Sequence, residues 1–204
     1  MVVEMRTYSF HPGMTPAALA RIEQGVAERS RLSPLGALWY SDVGRLHQIV
    51  HLWPYDDLAH REAVRGRFGE LKNWPARTGE YTAESETKIM RPAPFSPPLA
   101  PRKCGPVFEI CTDTYKANGL EKILERWTPR IDARAKLAPL VGAWHTVLGP
   151  MNQWIHIWAY ESVEARSRVR SEAARDGSWP PADGELFVKQ ESGLFFPAAF
   201  SPIQ

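Results

Sequence analysis

Apolar and polar positions change period along the chain in a regular order. From Val3 to Phe10 they alternate loosely, and Phe108 to Tyr115 has the β-branched and aromatic content of a strand. His11-Pro12-Gly13 marks a turn, and Thr15-Pro16 predicts a helix start, with Thr15 as N-cap and Pro16 at the first helical position. In the second half of the chain Leu120, Ile123, Leu124, Trp127 and Ile131 share one helical face, so one helix is predicted there. Pro34 and Pro139 close these helices. Strands are predicted near Leu35–Ser41 and Leu46–Trp53, with Gly44 in the turn between them. Asp57 and Ser162 are placed to cap a second pair of helices. Last strands cover roughly Glu80 to Met90 and Glu185 to Phe195.

These patterns occur twice. At an offset of 105 residues the two halves align without a gap, and about a quarter of the positions are identical. Leu32, Pro34 and Leu35 fall on Leu137, Pro139 and Leu140; Trp39, Gly44 and Gln48 on Trp144, Gly149 and Gln153. His51, Trp53 and Tyr55 fall on His156, Trp158 and Tyr160, and Arg61 and Arg65 on Arg166 and Arg170. Trp74-Pro75 matches Trp179-Pro180, and Phe95-Ser96-Pro97 matches Phe200-Ser201-Pro202. The chain therefore divides into a first repeat (1–91), a Pro-rich connector (92–106) that should be extended, and a second repeat (107–204). Each repeat reads strand, helix, strand, strand, helix, strand, the ferredoxin-like βαββαβ plan. Such a sheet covers one face with helices and leaves the other bare. The expected fold is thus α+β: two ferredoxin-like units packed sheet to sheet as an α+β barrel within one chain.

Composition narrows the partners. With 44% hydrophobic and 24% charged residues, and eight Trp to pack, the chain can build a core. A net charge of +2 without a block of like charge favours neither nucleic acid nor an anionic membrane surface. No apolar run is long enough to insert into a membrane, and Met1-Val2-Val3-Glu4 lacks the basic start of a secretory signal, which predicts a cytoplasmic protein. Cys104 and Cys111 fit neither a zinc site nor a redox pair. No phosphate-binding or HExxH signature is present.

Val3-Glu4-Met5-Arg6-Thr7-Tyr8, Val141-Gly142-Ala143-Trp144-His145-Thr146, Gly149-Pro150-Met151-Asn152-Gln153 and His156-Ile157-Trp158-Ala159-Tyr160 together resemble the NIPSNAP family over essentially the whole chain. The second repeat is closer to the family pattern; the first has Trp39-Tyr40-Ser41 where that pattern is Trp-His-Thr. The resemblance implies a fold related to the dimeric α/β-barrel superfamily. It also implies two directions for function. Related barrels include cofactor-independent monooxygenases, haem enzymes and isomerases of small molecules, whereas eukaryotic family members are linked to mitochondria and to trafficking partners.

The candidate chemistry sits on strand faces. His51 and Trp53 share one face, as do His156 and Trp158. If those faces line the barrel interior, they form an aromatic, His-bearing cavity for a small molecule; otherwise the histidines are bonded parts of the scaffold. Trp144, His145, His156, Trp158, His51, Trp53, Arg6 and Glu109 are the pocket candidates, with His145 and His156 expected to approach each other on neighbouring strands. Glu4, Arg6 and Tyr8 face one way, and Glu109, Cys111 and Asp113 are their counterparts, so only the first half-site offers a cation to an acidic ligand. The arginine pairs, four apart on a helix, either hold a carboxylate or phosphate or pair at the surface with Glu62, Glu70 or Glu172. His47 and His51, four apart on one strand, lie about 13 Å apart and cannot share a metal ion. No metal, haem or other cofactor is expected. The favoured reading is a small-molecule-binding barrel, with catalysis left open between monooxygenase and isomerase types. The other reading is an interaction module whose outer surfaces recruit a protein or a second copy.

Overall fold

The structure is a computed structural model and describes residues 1–175, 179–181 and 184–204. The first half runs β1 (Val2–Phe10), α1 (Thr15–Ser30), β2 (Ala37–Val43), β3 (Gln48–Tyr55), α2 (Leu58–Gly66) and β4 (Thr82–Pro92). The second runs β5 (Val107–Tyr115), α3 (Gly119–Trp127), α4 (Ile131–Leu137), β6 (Leu140–Leu148), β7 (Gln153–Tyr160), α5 (Val163–Arg175) and β8 (Phe187–Pro197). The duplicated ferredoxin-like plan is therefore present.

Local chemistry explains where the elements depart from the sequence pattern. The helix predicted through Ile131 is split into α3 and α4 because Pro129 has no N–H to continue the ladder. Its counterpart in α1 is Gln24, and α1 is continuous. Thr15 is already helical; Met14 stands at the N-cap and offers no side-chain bond. The expected caps of the second helices do form. Asp57 Oδ1 accepts from the His60 N–H at 2.8 Å, and Ser162 Oγ from the Ala165 N–H at 3.1 Å. His47 lies in the β2–β3 turn at φ 58°, past Gly44 at φ 104°, and not on the strand beside His51.

Eight strands close into one barrel in the order β1-β3-β2-β8-β5-β7-β6-β4. Exchanging the halves (β1 for β5, β2 for β6, β3 for β7, β4 for β8) returns the same cyclic order, so the barrel has the symmetry of a pseudo-twofold. Closure is made by β2 against β8, with Tyr40 opposite Phe196, and by β4 against β6, with Arg91 opposite His145. These pairings consume the edges that each isolated sheet would expose.

Strand parity then sorts every residue. Val3, Met5, Val50, Leu52, Phe108, Ile110, Ile155 and Ile157 point inward and fill the barrel together with Trp39, Trp144 and Phe195. Trp39 packs on Phe108 with ring centroids 5.0 Å apart. Each large apolar side chain so buried contributes roughly 1.5–3 kcal/mol, and the halves are held together mainly by this shared core. Leu99 and Cys104 of the connector pack against it, and Ile203 is fully buried beside them. Arg102 bridges to Ile203 in parallel and donates to the Val141 carbonyl at 2.9 Å.

Gly142 shows how tightly the interior is filled. A β-bulge sets Leu140 opposite Trp158 and Gly142 opposite Ile157, and a Cβ added to Gly142 would fall 2.1 Å from the Trp144 ring. Gly142→Ala should therefore lower stability by about 1–3 kcal/mol through overpacking. Gly69→Ala, where nothing lies within 4 Å of the added methyl, should be nearly neutral. Parallel thermal melts check this: equal melting temperatures for the two variants would mean the interior yields.

Candidate functional site

The opposite faces of the same strands carry the polar residues, and helices cover them. In the first half Glu4, Arg6 and Tyr8 of β1 and His51, Trp53 and Tyr55 of β3 lie beneath α1 and α2, lining a cavity of about 380 Å³. In the second half Cys111, Asp113, His156, Trp158 and Tyr160 line one of about 510 Å³ with Trp127, Trp179 and Arg170. The expectation of a barrel-interior cavity is thus corrected. The interior is the filled core, and His51, Trp53, His156 and Trp158 point away from it into the space between sheet and helix. The physical reason is the pairing of chemistry. Val, Leu and Ile faces bury well against one another, whereas Glu4 and Glu109 need the arginines that the helices bring to the opposite face.

Trp144 and His145 are likewise displaced from the expected site. Trp144 is in the barrel core. His145 stands opposite Trp154, while His156 stands opposite Ala143 and Cys111, so the two histidines do not pair across the strands. Burial and the charge of Arg91 push the His145 imidazole down, but it lines neither pocket.

A buried carboxylate anchors each pocket. Glu4, 1% exposed, accepts from Arg61 at 2.8 Å and from the Tyr55 hydroxyl at 3.3 Å, with Arg65 at 3.5 Å and Arg6 at 3.6 Å. Glu109, fully buried, accepts from Arg166, from Arg170 at 3.1 Å and from the Tyr160 hydroxyl at 3.2 Å. Burial works to raise the Glu109 carboxyl, but the Arg166 bond and the charges of Arg170 and Arg166 outweigh it and hold it below its ordinary range. The helical arginine pairs do hold a carboxylate: the protein's own. Of the surface partners expected for them, Glu62 also meets Arg61.

Each tyrosine also accepts from a buried helical arginine: Arg29 at 2.7 Å and Arg134 at 3.0 Å. These guanidinium groups lie over Trp53 and Trp158 at 4.1 and 4.0 Å. Burial pushes both tyrosine hydroxyls up to about 12, so they remain protonated donors. Arg29 and Arg134 escaped notice in the sequence although they align at the same offset. A charged residue repeated on a helix whose period calls for the buried face was the available signal.

The histidines differ between the halves. The Trp53 indole donates to Nδ1 of His51, and the Trp158 indole to Nδ1 of His156 at 2.8 Å. An indole N–H can only donate, so each neutral imidazole carries its proton on Nε2. Nε2 of His156 bonds Asp113 Oδ2 at 3.1 Å, and Asp113 Oδ1 accepts from Gln190 at 3.1 Å. At the position of Asp113 the first half has Tyr8, whose ring stacks on His51 at 5.5 Å. His51 Nε2 then has no partner among the described residues. Cys111 is not a ready nucleophile, because burial and then the charges of Glu109 and Asp113 push its thiol well up. Among the described residues no three His, Cys, Asp or Glu side chains come together as a metal site.

Two ferredoxin-like units closing one eight-stranded barrel, each with its own pocket beneath its helices, define a fused form of the dimeric α/β-barrel class. Residues 3–97 and 108–202 each match the NIPSNAP domain, and the chain belongs to the NIPSNAP family. Human NipSnap homolog 3B is 28% identical over 211 residues, covering 98% of this chain and 85% of that protein. The Dictyostelium discoideum NipSnap homolog is 24% identical over 186 residues, covering 87% and 78%. The fold alone is shared with a provisionally assigned monooxygenase of Lactobacillus acidophilus (TM-score 0.70, 9% identity, 95% of this chain and 92% of that one). It is shared likewise with an anthrone oxidase-like protein (TM-score 0.65, 9% identity, 98% and 93%). Among the described residues no helix is long and apolar enough to cross a membrane.

Burial, then the charges of Arg6 and Arg29, push the His51 imidazole from 6.5 down to about 3. The unfolded chain takes up this proton near pH 6.5 while the folded chain resists it until about pH 3, so stability falls as pH drops through that window and is indifferent to His51 above it. His51→Gln should flatten the stability profile there. Urea unfolding of both proteins at pH 7.5 and pH 4.5 reads it, and an equal loss in the two would show that His51 is not the group responsible.

Proposed function

We propose that the second-half pocket binds a small organic molecule and exchanges a proton with it through Asp113 and His156. The observation that carries this reading is the Asp113–His156 pair at 3.1 Å, buried at the wall of an aromatic cavity of about 510 Å³. Trp127, Trp158 and Trp179 supply flat apolar walls; Trp127 lies 4.3 Å from Trp179 and 4.9 Å from the His156 ring, centroid to centroid. A carboxylate so placed can take a proton from an acidic C–H or O–H of the ligand, becoming a neutral acid as the charge passes to the ligand, while the His156 Nε2–H bonded to Oδ2 holds it in position. Returning that proton to another atom of the ligand is an isomerisation and needs no cofactor. A cofactor-independent monooxygenase begins with the same deprotonation, and the fold shared with an anthrone oxidase-like protein is in keeping with that chemistry.

The test uses 2-indanone, a flat C–H acid suited to aromatic walls. Wild-type protein should accelerate its deuterium exchange in D₂O, and Asp113→Asn should lose about 100-fold of that acceleration at an unchanged melting temperature. Exchange equal in the wild type and Asp113→Asn would sink the proton-transfer role. Native mass spectrometry of protein purified without added ligand would identify any molecule that the pocket retains.

A further inference from the structure

The first-half pocket has a counterpart anchor and Trp pair but a different charge balance. Glu4 is already bonded at short range by Arg61 and Tyr55, while Arg6 and Arg65 stand 3.6 and 3.5 Å from it and add two further positive charges. The second half has Cys111 in place of Arg6 and Asp113 in place of Tyr8, so Glu109 is met by Arg166 and Arg170 alone and Asp113 adds a second carboxylate. Three guanidinium groups around one carboxylate leave the first pocket cationic.

A buried donor in that pocket also lacks an acceptor. His51 is 2% exposed, and its Nδ1 is occupied by Trp53. Nε2 therefore carries the proton and has no partner among the described residues. Its direction follows from the other half, where the same atom reaches the pocket-lining Asp113. Arg6 Nε is also buried without a partner, although Arg6 donates to the Tyr8 hydroxyl at 2.6 Å. An unpaired buried donor is costly, and an acceptor arriving as a ligand removes that cost.

We infer that the first-half pocket is a binding site for a small organic monocarboxylate, separate from the proton-transfer site. The ligand's carboxylate takes over the acceptor role that Asp113 has in the second half, beside the Tyr8 ring, accepting from His51 Nε2–H and pairing with Arg6 and Arg65. Ile22, Trp53, Phe68 and Trp74 enclose the apolar body. A planar carboxylate can accept side by side from planar guanidinium groups and from one neutral N–H. Because His51 is pushed down to about 3, it remains a neutral donor throughout the physiological range.

Isothermal titration of the full chain with benzoate and with benzamide tests the inference, since the two ligands share a ring and differ in charge. Benzoate should bind at least about tenfold more tightly than benzamide. Tyr8→Asp supplies the internal acceptor of the second half; it should abolish benzoate binding while melting no lower than the wild type. Arg6→Cys, which installs the second half's residue at that position, should weaken benzoate by about tenfold and serves if Tyr8→Asp does not fold. Absence of saturable benzoate binding, equal affinity for benzamide, or benzoate binding unchanged by either folded variant would overturn the site. The indanone exchange assay reads the other pocket, so either proposal can fail without the other.

Discussion

A carboxylate sealed between sheet and helix is the constraint around which each half is built. Glu4 and Glu109 sit on the first strand of their repeats, where desolvation would be prohibitive without partners. The partners are a tyrosine four residues beyond the histidine and two arginines one turn apart on the following helix. A further arginine, on α1 in the first half and on α4 in the second, bonds the tyrosine from the helical side. One charged group thus fixes the height and direction of both helical layers over the sheet. The pockets are the space left beside that clasp, walled by rings lying next to the guanidinium groups.

The repeat, its element order and the pairing of two bare sheet faces were legible because identities at one offset fall on Trp, Pro and Gly, residues whose geometry is hard to replace. What could not be read was which face of β3 and β7 turns inward. Ile49-His51-Trp53 and Val50-Leu52 are both apolar enough for a core, and alternation separates two faces without naming them. The choice depends on Glu4 finding Arg61, 57 positions away, a contact that exists only once the helix has packed. The same limit explains Trp144 and His145. They are neighbours in a telling motif, yet successive strand positions face apart, so only one of them could share a side with His156. Pro129 was visible, but the apolar period runs through it, and the missing N–H prevailed over the period.

The halves share a scaffold and differ at two adjacent outward positions of the first strand. Arg6 and Tyr8 against Cys111 and Asp113 change the sign of the local charge and decide whether the histidine is satisfied from within. The Trp-to-His bond and the arginine over the Trp ring are kept in both, while parts of the walls differ, with Ile22 and Thr82 where the second half has Trp127 and Phe187.

The connector does more than pack Leu99 and Cys104 against the barrel core. By joining two sheets that would otherwise meet by diffusion, it turns barrel assembly into an intramolecular event governed by effective concentration. Dilution therefore cannot separate the halves, and a self-pairing of two first repeats or two second repeats competes poorly with the tethered partner. A homodimer must carry the same side chain on both sides of its axis. This chain is released from that rule and presents two unlike chambers in a fixed one-to-one ratio on a single rigid frame.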